Sequence, residues 1–145
     1  MKKITLLFVV LVIITTASFS QTTVNIPDNF IGTWWIDISD QVGIPPGYGL
    51  QCLASAEFLK DATWITRVTF KAYNQNGHDL LAETGFADNL SMIAESGIII
   101  AATSVEIALV RLGESQVYDR FKVDGNSLID MNGIKWTKEE PQPTD

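Results

Sequence analysis

Few side chains in this chain have the types and spacing that chemistry requires, and each has a structural reading beside the reactive one. One histidine, His78, and one cysteine, Cys52, occur among the 145 residues. A serine-histidine-aspartate device would have to use His78, which stands beside Asn76-Gly77 in a turn. No serine lies in a Gly-x-Ser-x-Gly elbow, because Gly113-Glu114-Ser115-Gln116-Val117 lacks the second glycine. His78 therefore reads as a solvent-facing turn residue. Gly47-Tyr48-Gly49 starts like a dinucleotide-binding loop, but Cys52 holds the third glycine's place and prolines precede it. Asp124-Gly125-Asn126 lacks the sixth-position glycine and the downstream glutamate of a helical calcium loop, and reads as a hairpin turn. A single His and a single Cys do not make a His/Cys metal cluster, so no metal and no cofactor is expected. The sharpest reactive candidate is Asp119, on one strand face with Val117, Phe121 and Val123. An inward carboxyl among apolar neighbours has a raised pKa. The competing readings are a face slipped by one residue, or pairing with Arg111 or Arg120. No enzymatic activity is expected.

Composition and the first residues place the chain. Lys2 and Lys3 precede the unbroken apolar run Leu6–Ile14, and small residues follow at Ala17, Ser18 and Ser20. This is the pattern of a secretory signal peptide over residues 1–20, with cleavage before Gln21 or, alternatively, between Ala17 and Ser18. The run is shorter than the ~20 residues that cross a bilayer, so no stable membrane insertion is expected after cleavage. The expected location is secreted or periplasmic. Removing residues 1–20 takes two lysines and no acid, leaving 125 residues with 8 Lys+Arg against 17 Asp+Glu, a net charge of −9. Such a surface repels a phosphate backbone, so nucleic acid is not an expected partner. Cys52 lies in the apolar stretch Leu50–Ala54 and reads as buried, with pairing to another chain as the alternative in an oxidising compartment.

The elements that must position these residues read as successive short strands. Phe30–Ser39 is rich in aromatic and β-branched residues, and Gly43–Gly49, with two prolines, must be a loop. Ser55–Ala62 reads as a short helix capped by Ser55 or as an irregular approach to the next strand. From Thr63 to Tyr73 the alternation puts Trp64, Thr66, Val68, Phe70 and Ala72 on one face. Asn76-Gly77 is a hairpin turn, with Leu80–Phe86 as the expected returning strand. Ser91–Ala102, with Gly97 as a bulge, and Ser104–Leu112 follow. Val117–Val123, Ser127–Met131 and Ile134–Thr137 make a meander across Asp124-Gly125-Asn126 and Asn132-Gly133. The expected fold is all-β, an antiparallel up-and-down β-barrel of about eight strands over residues 21–138, with a β-sandwich as the alternative. Residues 139–145, with Pro141 and Pro143, read as a flexible tail.

Phe30-Ile31-Gly32-Thr33-Trp34 resembles the Gly-x-Trp signature of lipocalins and of the smaller bacterial lipocalin-like secreted proteins, which have calycin-type barrels. Phe121–Leu128 and Gly133–Lys138 are similar to the closing hairpins of that bacterial group, while the Thr-Asp-Tyr type motif of classical lipocalins is absent. The resemblance implies that Gly32 and Trp34 are structural, with Trp34 plugging one end of the barrel and a ligand cavity open at the other. It also implies a late-strand arginine over Trp34, for which Arg120 is the nearest residue.

The expected function is binding of a small apolar or amphipathic ligand in the barrel, without chemistry. Val68, Phe70, Ile107, Leu109 and Phe121 would line the cavity, with Asp119 inward and Tyr48 at its mouth. The alternative is a filled barrel that meets a protein or glycan partner through its acidic surface, Trp35 or the Gly43–Gly49 loop. A monomer is expected.

Overall fold

The computed structural model describes residues 23–143, so the expected signal segment lies outside the described residues. Eight antiparallel strands run in chain order and close into a barrel, β1-β2-β3-β4-β5-β6-β7-β8. They are β1 (Gly32–Asp37), β2 (Leu50–Phe58), β3 (Thr63–Ala72), β4 (Ser91–Ala102), β5 (Glu106–Arg111), β6 (Val117–Asp124), β7 (Ser127–Ile129) and β8 (Lys135–Thr137). One short helix, α1 (Leu80–Thr84), and a 3₁₀ turn (Ala87–Leu90) fill the β3–β4 connection. The expected up-and-down barrel is therefore the observed fold. Closure removes the free edges that a sandwich of this size would expose.

Two expected elements differ from those observed. Ser55–Ala62 is not a helix: β2 runs through Phe58, paired on both sides with β1 and β3, before turning at Leu59–Ala62. Neighbouring strands supply ladder partners that outweigh the local preference of Ser55-Ala56-Glu57. Leu80–Phe86 is not a strand. Asp79 Oδ1 accepts from the Leu81 and Ala82 amides, and Gly85, at φ 78°, closes the helix C-terminus, so both ends of a single helical turn are satisfied. The count of eight survives because β2 takes the place of the strand that α1 removes.

The inner face is fixed by pairing. Trp34 opposes Ala56, Phe58 opposes Trp64, Ile99 opposes Leu109, Ile107 opposes Phe121 and Leu128 opposes Trp136. Phe58 and Phe121 belong to strands that are not neighbours, yet their rings meet edge-on at 5.1 Å, so this contact crosses the bore. Ile26 and Phe30, ahead of β1, complete the same core and plug the end where Trp34 lies. Trp34 Nε1 donates to the Phe30 carbonyl at 2.8 Å, giving the buried indole the partner it needs.

Gly97 is not itself the bulge. Register shifts fall on either side of it, between Thr66 and Arg67 in the β3 pairing and between Ile99 and Ala101 in the β5 pairing. Its role is close approach: a Cβ there would lie 1.9 Å from the Val110 carbonyl oxygen and 2.8 Å from Trp64 Nε1. That space lets the Trp64 indole lie flat and donate to the Ile98 and Val110 carbonyls. Gly97→Ala should lower the free energy of unfolding by about 2–3 kcal/mol, in the range of overpacking plus a strained indole hydrogen bond. An unchanged urea midpoint would contradict this role.

Candidate functional site

The barrel closes unevenly. β7 and β8 have three residues each, and β8 meets β1 at a single residue pair, Trp35 with Thr137. Gly32, Thr33 and Trp34 therefore run past the end of β8 and have no ladder partner on that side among the described residues. The chain fills part of this gap with the segment that follows β8. Glu140 forms an ion pair with Lys71, and the Pro141 carbonyl accepts from Gln51 Nε2 at 3.3 Å. The start of the segment expected to be a flexible tail is thus pinned across the outer face of β1–β3.

Between this strap, the β6–β7 turn and Asn29 lies a cleft of about 720 Å³. Inner-face apolar residues Trp34, Val123 and Leu128 border it, and Asn126, Ser127, Thr137 and Lys138 add polar groups. The volume falls within the ~300–1,000 Å³ of small-molecule sites. Lys138 Nζ stands 5.0 Å from the centroid of the Trp34 ring. The cation above Trp34 is therefore Lys138. Arg120 instead bonds Glu106 at 2.7 Å, on the solvent side of the sheet.

A second cleft, of about 630 Å³, lies at the opposite end, between the loop Ile44–Gly49 and the turn after β3. Tyr48 borders it and is 73% exposed. Beneath it, Tyr73 Oη donates to Gln51 Oε1, and Gln51 Nε2 donates to Asp37 Oδ2 at 2.7 Å. Burial pushes Asp37 upward, but its bonds from Ser39 and Gln51 more than offset this and leave its pKa lowered. The Tyr73 hydroxyl is pushed up to about 12 by burial and by the nearby Asp79, Glu140 and Asp37 carboxylates. Pro143 of the strap also borders this cleft, so the strap forms part of the wall of both.

The remaining sequence candidates fall into three places. Ile107, Leu109 and Phe121 are fully or almost fully buried in the packed end of the bore. Val68 and Phe70 are half-buried on the same face, opposite Ala54 and Cys52, and neither cleft is bordered by any of these five. Gly32, at φ 113°, begins β1 in a conformation that favours glycine. Cys52 is buried and free, its thiol pushed up by burial and by Asp37. His78 is an exposed turn residue facing Glu83 at 3.0 Å. Among the described residues no three His, Cys, Asp or Glu side chains come together as a metal site.

The sequence reading did not single out Lys138. Its signal was the spacing Trp136-Thr137-Lys138, which returns a cation to the strand face of an inward aromatic. Protein-family models, curated proteins and solved structures were all compared with this chain, and none matches.

Among the described residues Asp119 has no cation within ion-pair distance. Its Oδ1 accepts from the Met131 amide at 3.0 Å and the Arg120 amide at 2.7 Å. Burial raises its pKa above the ordinary 3.8, the two amides pull it down, and Asp130 adds to the rise. A carboxyl raised in the folded state binds more protons there than in the unfolded chain. Its contribution thus favours folding below pH 3.8 and is lost as pH rises through the raised value. Asp119→Asn keeps an acceptor for both amides and removes the charge. Relative to the parent, it should gain stability as pH rises above 3.8 through the raised value in urea unfolding. A pH-independent difference would contradict this assignment.

Proposed function

We propose that this chain is an exported barrel protein that binds a small amphipathic ligand without transforming it, at the seam cleft between β8 and β1. Export rests on Lys2-Lys3 and the apolar run Leu6–Ile14. The observation that carries the binding reading is the cleft of about 720 Å³, in which half-buried Val123, backed by the buried Trp34 and Leu128, meets polar groups and one ammonium. An apolar floor with a few convergent polar groups at its rim is what an amphiphile needs: area to leave water, and partners for its head. Burial of apolar ligand surface contributes about 25 cal/mol per Å². Asp119, bonded to two backbone amides, serves strand-end geometry in this reading. Among the described residues no helix is long and apolar enough to cross a membrane.

A second reading rests on exposed Tyr48 and the polar residues of the other cleft, which suit a glycan or protein partner that docks on the loops. Titration of the ¹⁵N-labelled protein with dodecanol separates these readings. Shifts should appear at the Trp34 indole N–H and the Val123 and Leu128 amides. Shifts confined to Val68 and Phe70 would move the site into the bore, and an unresponsive spectrum would overturn amphiphile binding. A response of Tyr48 and Gln75 to a soluble oligosaccharide, with none to dodecanol, would favour the second reading.

A further inference from the structure

Resting on that reading, the geometry points to the class of ligand: an anionic amphiphile, with a singly charged head at the Lys138 ammonium and an alkyl body along half-buried Val123, above the buried Trp34 and Leu128. The charge arithmetic carries this. The chain has 17 acidic against 10 basic residues, so a base without an acid is the reverse of what composition favours. Among the described residues, Lys60, Arg67, Lys71, Arg111, Arg120, Lys122 and Lys135 each lie within ion-pair distance of a carboxylate. Lys138 has no such partner among them, and its ammonium is held over the Trp34 ring at 5.0 Å.

The neighbouring acids do not neutralise it. Glu140 is paired with Lys71, on the other side of the strap. Glu139 borders the cleft and is exposed, and its carboxylate would repel a second negative charge on the head. One anionic group therefore fits where two would not. An ammonium held above an aromatic ring, with no acid at ion-pair distance among the described residues, supplies a charge-assisted hydrogen bond to a carboxylate while the alkyl chain lies beside it along Val123.

Calorimetric titration of the purified protein with dodecanoate and dodecyltrimethylammonium, each below its micelle concentration, and with dodecanol below its solubility limit tests this. Dodecanoate should bind about tenfold tighter than dodecanol, the ratio that a hydrogen bond to a charged group supplies, and the trimethylammonium compound should bind weakest. Lys138→Met should erase the preference for dodecanoate, Lys138→Arg should retain it, and added salt should weaken dodecanoate alone. Lys138 is exposed, so these variants keep the fold, which a thermal melt verifies. Equal affinity for dodecanoate and dodecanol, unchanged in Lys138→Met, would overturn the anionic head and leave amphiphile binding standing. Tightest binding of the cation would assign the head site to Glu139 instead. Failure of all three to bind would overturn the cleft reading itself.

Discussion

An eight-stranded sheet that closes on itself must join its first strand to its last, and here that junction is one residue pair between β1 and a three-residue β8. Much else follows from this narrow seam. Every residue of β2 pairs with β3 and six of them with β1, a ladder that fixes the register of the core. At the seam the residues after Thr137 leave the ladder, and they cross the outer face as a strap held by Glu140, Pro141 and their partners Lys71 and Gln51. The cleft proposed as the binding site is the space left where the ladder stops and the strap begins.

The weak seam is tolerable because the bore is held by contacts that do not depend on it. Phe121 touches Phe58 at 5.1 Å and Trp136 at 5.7 Å, joining β2, β6 and β8 through the interior. Trp64 stacks on Tyr118 at 5.4 Å, and the Arg111 guanidinium lies over the Tyr118 ring, 4.1 Å from its centroid, tethered in turn to Glu95. Such aromatic pairs add about 0.5–1.5 kcal/mol each beyond the area they bury. In a chain with one cysteine, no internal disulfide can take their place. The packed end of the bore also explains why Ile107, Leu109 and Phe121 serve as core and do not border either cleft.

Much of the barrel was legible because its strands announce themselves locally. The alternation of Thr63–Tyr73 and the turns at Gly125-Asn126 and Asn132-Gly133 are direct readouts of period and backbone conformation, and the structure places strands and turns there. Two elements were not read correctly, for different reasons. β2 carries buried residues on both faces, Gln51, Leu53 and Ser55 as well as Cys52 and Ala56, so it has no alternation to detect. For α1 the cues were present in Asp79 and Gly85, but the Asn76-Gly77 turn argued for a hairpin and outweighed them. The site was less legible still. Trp34 could be singled out from its sequence context, whereas the cleft depends on where β8 stops and on a strap that crosses three strands. Neither is encoded in local periodicity. Lys138 acquires its meaning only from having no acid within ion-pair distance among the described residues, which depends on tertiary placement.

The account stands or falls on where an amphiphile sits. A crystal structure of the protein grown with dodecanoate is the most direct measurement. The account predicts an alkyl chain along Val123, above the buried Trp34 and Leu128, with the carboxylate beside Lys138 Nζ and the strap still in place. An alkyl chain lying between Val68 and Phe70 inside the bore, or a seam cleft that dodecanoate leaves to solvent, would contradict it.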